Sequence, residues 1–318
     1  MNGTVLGIDT SNYRTSLALV SEEGEILLNI RELLPVPTGE RGLRQSEAVF
    51  AHLRQLSAAA DQLRRVSRGS IAAVAASTAP RDGTESYMPV FVAGASFGRL
   101  TAAALGVPFV GTTHQRGHLS AAKAGTALDR TEEYLAIHLS GGTTDLLDVR
   151  SEAVRQIGGS LDLHAGQLVD RTGVALGLSF PAGPELEELA MQGKSESRLG
   201  CSMAENDLNC HFSGAESQVQ RWIRERVLSP EDTAREVYDL LARTVLRMLA
   251  AGSRKTGHRT ALVTGGVASS ELFRTMLRRR AEGNRQAPEI IFGKPEMSGD
   301  NAVGVALIGL AALLRGSR

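Results

Sequence analysis

His114 and His118 stand four residues apart in Thr113-His114-Gln115-Arg116-Gly117-His118. On a helix, that spacing puts both imidazoles one turn apart on one face, near enough to share a metal ion. The same six residues also read as a polar helix start with a surface histidine one turn on, so the pair alone does not choose between the two. A catalytic divalent ion needs an oxygen ligand as well, with positions left open, as in a two-histidine, one-carboxylate set. Asp300, in Ser298-Gly299-Asp300-Asn301, is a carboxylate that could complete such a set, although an Asp at a helix start also serves as a cap.

A second chemistry lies in the glycines. In Val263-Thr264-Gly265-Gly266-Val267 a strand runs through two glycines into a helix, and Ser140-Gly141-Gly142 forms a hairpin turn. Bare glycines let backbone N–H groups approach a phosphate, and a helix N-terminus favours its charge. Two such turns in one half of the chain point to a nucleotide. Asp170, in a helix with few other acids, is placed to bind a ribose hydroxyl or to stand as a solvated acid. His138, His164 and His211 read as structural or surface groups. No Gly-x-Gly-x-x-Gly follows the first strand, and neither a P-loop nor a nucleophile elbow occurs, which disfavours Rossmann dehydrogenases, P-loop enzymes and serine hydrolases.

The elements that must carry these residues follow from periodicity. Residues 5–9, 16–20 and 25–32 read as strands; an amphipathic helix follows from Leu43, with Val49, Leu53, Leu56 and Leu63 on its apolar face. Residues 71–76 form a buried strand, 80–83 a loop, 94–105 a helix and 107–111 a strand leading into the histidine pair. A second half begins near Tyr134. Residues 134–149 lie over the earlier strand–turn–strand without a gap, with Ser140 on Ser11, Thr144 on Thr15, Leu146 on Leu17 and Val149 on Val20. One repeated unit near the start of each half suggests two similar lobes. Further helices are expected at 163–176, 214–227, 231–253 and from Ser269, strands at 260–264 and 289–292, a rigid turn at 180–184 and an irregular segment at 193–213. Ser298 is expected to cap a terminal helix, a core helix too short and too rich in Gly and Ala to span a membrane.

Composition narrows the class. The 318 residues are 42% apolar and 22% charged, as in ordinary globular proteins. Thirty-five basic residues balance 35 acidic ones, so no global charge draws the chain to nucleic acid or membrane. Cys201 and Cys210 are expected to be reduced thiols of a cytoplasmic protein, and the N-terminus lacks the pattern of a signal peptide.

With these pieces in order the chain resembles the TsaD family, the threonylcarbamoyladenosine synthases of tRNA, formerly described as O-sialoglycoprotein endopeptidases. The resemblance covers nearly the whole chain. It rests on Gly7-Ile8-Asp9-Thr10-Ser11, His114 with His118, Leu139-Ser140-Gly141-Gly142, residues 166–170, Leu176-Gly177-Leu178, Phe180-Pro181-Ala182-Gly183-Pro184, Phe212-Ser213-Gly214, Gly265-Gly266-Val267 and Gly299-Asp300-Asn301. It implies an α/β, two-lobed actin/hexokinase-like (ASKHA) fold with duplicated mixed sheets flanked by helices and a nucleotide cleft. The N-terminal lobe would span 1–125, closed by a helix at 300–316, and the C-terminal lobe 126–299. By the same resemblance a divalent metal, iron or zinc before magnesium, is held by His114, His118 and Asp300. The adenine nucleotide of threonylcarbamoyl-AMP meets Ser140, Gly141, Gly142, Asp170 and Gly183, with the glycine turn at Gly265 and Gly266. Asp9 ends the first strand, where actin-like folds often place an acid, and is assigned with Asp300 to catalysis. The family reaction transfers the threonylcarbamoyl group to a tRNA adenosine, with partner proteins of the same modification system.

The departures matter as much. Asn12, Tyr13 and Arg14 stand where the family usually carries an acidic pair; Thr143 replaces a histidine; Ser270 stands where an Asn binds nucleotide; residues 162–167 read Asp-Leu-His-Ala-Gly-Gln in place of Asp-Asp-Ala-x-Gly-Glu; the loop at 79–83 lacks Gly-Pro-Gly; and the lysine expected near Glu216 is missing. This pattern fits a divergent paralogue, either with another carbamoyl acceptor or as a non-catalytic regulatory protein. A peptidase is disfavoured because no Glu adjoins either histidine, and a sugar kinase because it has no need of the pair.

Overall fold

The computed structural model describes residues 3–36, 43–66, 70–83, 86–151, 153–299 and 302–316. The chain divides into two compact units, Met1–Ala124 with Gly299–Arg318, and Gly125–Ser298.

The first unit runs β1 (Gly3–Thr10), β2 (Arg14–Ser21), β3 (Ile26–Leu33), α1 (Gln45–Val66), β4 (Ser70–Ala79), α2 (Pro89–Leu105), β5 (Phe109–Thr113) and α3 (His114–Lys123). The second contains β6 (Tyr134–Leu139), β7 (Thr144–Val149), β8 (Val154–Ser160), α4 (Ala165–Ala175), α5 (Gly183–Gln192), β9 (Ser202–Ala204), β10 (Asn209–His211), α6 (Ser213–Glu225), α7 (Pro230–Thr256), β11 (Thr260–Thr264), α8 (Glu271–Ala281) and β12 (Glu289–Phe292). The terminal helix α9 (Val303–Gly316) returns to the first unit.

The two sheets repeat one plan. The first is ordered β3-β2-β1-β4-β5, and the second contains β8-β7-β6-β11-β12 with β10 and β9 added beyond β8. In each, three antiparallel strands are extended by two parallel ones. Even the hairpin register repeats: Val5 pairs with Val20 and Thr10 with Thr15, as Tyr134 pairs with Val149 and Leu139 with Thr144. The turns close alike, Ser11 N donating to Arg14 O at 3.2 Å and Ser140 N to Thr143 O at 2.8 Å. This is the alignment of residues 134–149 on 5–20 expressed as backbone pairing.

Both faces of the first sheet are covered, so β1 is buried along its whole length and reads as an apolar run. Leu6, Ile8, Leu17 and Leu19 pack with Leu56 and Ala59 of α1. On the other face Val5, Ala18 and Val20 pack with Ala302, Val303, Ala306 and Leu310. A Cβ on Gly304 would fall 1.8 Å from Gly117 O, so only glycine lets α9 cross α3 this closely. In the second unit Ile137, Leu139 and Leu146 meet Leu241, Val245 and Leu249 of the long helix α7.

Several local expectations shift. The buried stripe of α1 is Ala48, His52, Leu56 and Ala59, while Leu53 is exposed, because His52 finds hydrogen-bond partners in the sheet. Helix α2 starts at Pro89, a first-turn proline, with Gly94 inside it. The turn at 180–184 runs straight into α5, again with proline in the first turn. The segment 193–213 holds two short strands, and its polar part is captured by acids of α7. Asp232 accepts from Lys194 N and Ser195 N, Glu236 from Ser195 Oγ, Arg198 N and Leu199 N, and Asp239 from Ser197 N. Ser298 does not cap α9, which begins at Val303; its Oγ instead lies 3.2 Å from Ser269 Oγ, within the second unit.

Candidate functional site

The histidine pair is on a helix. Thr113 ends β5 and caps α3 by accepting from Arg116 N. That cap is braced from outside: Arg116 makes a bidentate pair with Asp82 at 2.7–3.0 Å, Thr113 Oγ1 donates to the same carboxylate, and Gln115 N donates to Pro80 O. The 80–83 loop thus fixes where the first turn of α3 points.

Within that turn, His114 Nε2 and His118 Nε2 lie 3.0 Å apart, with rings edge-to-face at 84°. Two imidazoles bound side by side to one ion through bonds of about 2.1 Å bring their nitrogens to about 3.0–3.4 Å. His114 Nδ1 faces Asp9 at the end of β1, 3.0 Å from both carboxylate oxygens. Asp9 is fully buried and also accepts from Ser77 Oγ of β4. A carboxylate on Nδ1 selects the tautomer that leaves Nε2 a lone pair, the usual support behind a metal-binding histidine. The donor set therefore fits a divalent ion. Among the described residues no group of three His, Cys, Asp or Glu gathers to hold one, and Asp300 lies outside the described residues.

His52, which periodicity did not single out, secures the neighbouring turn. It is fully buried, with Nε2 2.9 Å from Ser11 O and Nδ1 2.7 Å from Thr15 Oγ1. Burial lowers its pKa, against the opposing pull of the Ser11 carbonyl and the Asp9 charge.

The second unit holds a pocket of about 350 Å³. Ser140, Gly141, Asp170, Gly183, Gly266 and Ser270 all line it. Gly166 N donates to Ser140 O at 3.0 Å, and a Cβ on Gly166 would lie 2.5 Å from Gly141 N, so the start of α4 is pressed onto the β6–β7 turn. The starts of α4, α5 and α8 border the pocket through Gly166, Gly183 and Ser270. Three helix N-termini thus meet at a pocket that also carries the carboxylates of Asp170 and Glu187.

Gly142 is exposed, its N–H turned back to Ser140 Oγ at 3.3 Å. Gly265 adopts φ +104° and packs on the backbone of Leu139, where a Cβ would lie 2.2 Å from its carbonyl oxygen. Ser270 is buried and caps α8 by accepting from Phe273 N at 3.1 Å. Asp170 accepts from Ala182 N at 2.9 Å and retains lone pairs toward the pocket.

Three further residues shape this pocket without having stood out in the sequence. Tyr238, on α7, donates to Gly183 O at 3.0 Å; burial pushes its phenol up, and the charges of Glu187 and Asp170 add to this. Glu187 also lines the pocket and accepts from Leu272 N at 2.8 Å. Arg274 reaches back from α8 to Ala268 O at 2.6 Å and Gly293 O at 2.7 Å, bracing the loop after Gly266. Each sits on a helix face where, in one dimension, it reads as an ordinary polar or aromatic residue.

The TsaD family model, described as tRNA N6-adenosine threonylcarbamoyltransferase, matches residues 43–306. The chain belongs to the TsaD family. A Pyrobaculum calidifontis protein named tRNA N6-adenosine threonylcarbamoyltransferase is 30% identical to it over 98% of this chain and 88% of that one. Among solved structures, HypF of T. kodakarensis matches with a TM-score of 0.63 at 16% identity, over 99% of this chain and 48% of that one. The ROK hexokinase of Thermus thermophilus matches with a TM-score of 0.57 at 17% identity, over 98% and 100%. The likeness to these structures shows the shared α/β fold of hexokinase-type proteins with two mixed sheets. No helix among the described residues is long and apolar enough to cross a membrane.

Proposed function

We propose that this protein transfers a threonylcarbamoyl group from threonylcarbamoyl-AMP to the N6 amine of a tRNA adenosine. The observation that carries the reading is the family match over 43–306 together with the Asp9–His114–His118 constellation. In this reading the second unit binds the adenylate. The phosphate lies at the glycine turns of Gly141 and Gly266, and Asp170 and Glu187 accept from ribose hydroxyls. His114, His118 and Asp300 hold a divalent ion, iron or zinc by the nitrogen-rich donor set.

When bound, the ion supplies Lewis-acid stabilisation of negative charge that develops in acyl transfer. Asp9 holds His114 in its ligating tautomer. The adenosine amine attacks the carbamoyl carbon and gives up a proton, the bond from that carbon to the phosphate oxygen breaks, and AMP leaves with that proton on its phosphate, toward the starts of α4, α5 and α8. Residues 80–83 act through Asp82 and Arg116 to keep the histidine turn in place. The work is cytoplasmic and involves partner proteins of the family's modification system.

The test is transfer of labelled threonylcarbamoyl from its adenylate to tRNA by the purified chain with those partners. Product that disappears in His114→Ala and His118→Ala supports the reading. A second reading, another carbamoyl acceptor, is favoured by Arg14 and the exposed Tyr13 at the β1–β2 turn, where the family usually has acids. Adenylate consumption without tRNA product would select it.

A further inference from the structure

Cys201 and Cys210 are the chain's two cysteines, and both are free thiols. They lie at one two-stranded corner of the second sheet. β9 and β10 pair antiparallel with Met203 opposite Cys210 and Ser202 opposite His211. Cys201 immediately precedes β9, and the two-residue period of extended chain puts it on the same face as Met203, hence diagonal to Cys210. Its Sγ lies 3.5 Å from His211 O, which fixes it over β10. Cys210 is fully buried and pairs with Ser160 of β8, whereas Cys201 is partly exposed to solvent.

The two thiols also act on each other. The neighbouring Cys210 thiol holds Cys201 below the ordinary thiol value against the cost of burial, with Thr244 and the charge of Arg247 acting in the same direction. The neighbouring Cys201 thiol and burial push Cys210 up. One thiol is thus accessible and readily ionised, and the other is hidden beside it. That division of labour separates an attacking thiol from a resolving one.

We propose that Cys201 and Cys210 form a reversible thiol pair, oxidised by hydroperoxides to an intramolecular disulfide, with Cys201 attacking and Cys210 resolving. In the first step the Cys201 thiolate attacks the outer oxygen of the hydroperoxide. The O–O bond breaks, the alkoxide leaves and takes a proton as an alcohol, and Cys201 becomes a sulfenic acid. In the second step Cys210 sulfur attacks Cys201 sulfur, the S–O bond breaks, and the departing hydroxide takes the Cys210 proton as water. Two thiols are oxidised and one hydroperoxide is reduced. Cys201 lies just before β9, outside the ladder, so its backbone can shift toward Cys210 without breaking the β9–β10 pairing.

The experiment treats the full chain with a small excess of hydrogen peroxide and follows thiol titration, peptide mapping and reversal by dithiothreitol. Expected is the loss of both thiols, a single peptide pair joining Cys201 to Cys210, and full recovery on reduction. Cys210→Ser should accumulate sulfenic acid at Cys201, trapped by dimedone, and Cys201→Ser should slow oxidation at least about tenfold. Oxidation of Cys201 to sulfinic acid with Cys210 still reduced would overturn the proposal, as would disulfides between chains or undiminished oxidation of Cys210 in Cys201→Ser. Mapping of the unsubstituted chain decides the matter even where a variant does not fold.

Discussion

His114 Nδ1 lies 3.0 Å from both oxygens of the Asp9 carboxylate, although 105 residues separate the two in the chain. Asp9 therefore stands behind the histidine, on the ring nitrogen opposite the one that faces His118. Asp9→Asn keeps the shape but presents an amide that can accept through only one atom. Metal affinity is expected to fall about 10–100-fold, read by competition with a chelator. Unchanged affinity would detach Asp9 from the metal site.

Gly166→Ala tests the adenylate pocket. The added methyl would meet Gly141 N at 2.5 Å and Ser140 C at 2.6 Å, both backbone atoms that cannot step aside as a flexible side chain does. The β6–β7 turn must move away from α4, at a cost of about 1–3 kcal/mol. Adenine-nucleotide affinity should drop by at least about tenfold in calorimetric titration, with histidine-site metal binding unchanged. Unaltered nucleotide affinity would place the phosphate elsewhere.

Glu236→Gln probes a different kind of support. The buried carboxylate accepts from Ser195 Oγ, Arg198 N and Leu199 N, and an amide leaves some of these donors facing its own N–H groups. Unfolding free energy should fall by about 2–4 kcal/mol in urea titration. A loss confined to a few tenths would mean that the 194–199 segment finds other partners.

His52 makes stability depend on pH. Burial lowers its folded-state pKa below the ordinary 6.5, so the unfolded chain binds the proton more readily. Stability attributable to neutral His52 is full above that ordinary value and declines as pH falls below it, levelling off beneath the folded pKa. His52→Gln should flatten the urea midpoint between about pH 5 and 7 relative to the unsubstituted chain. Parallel curves for the two proteins would assign the acid sensitivity to other groups.

Local order was legible in the residues themselves. Alternation and apolar runs marked the hairpins at 5–20 and 134–149, and their alignment predicted the shared register, because strand pairing follows a two-residue period over a short turn. Four-residue spacing placed His114 and His118 on one helical face, and the glycine turns at Ser140 and Gly266 border the pocket together with Asp170 and Gly183. What folding alone decided is partnership across long separations. Asp9 behind His114, His52 beneath Ser11, Tyr238 on Gly183 and the α7 acids holding residues 194–199 each join groups far apart in the chain. In one dimension a buried acid that accepts three hydrogen bonds looks the same as a solvated one. Only tertiary packing removes the water, and with it the difference between a surface charge and a structural or functional one.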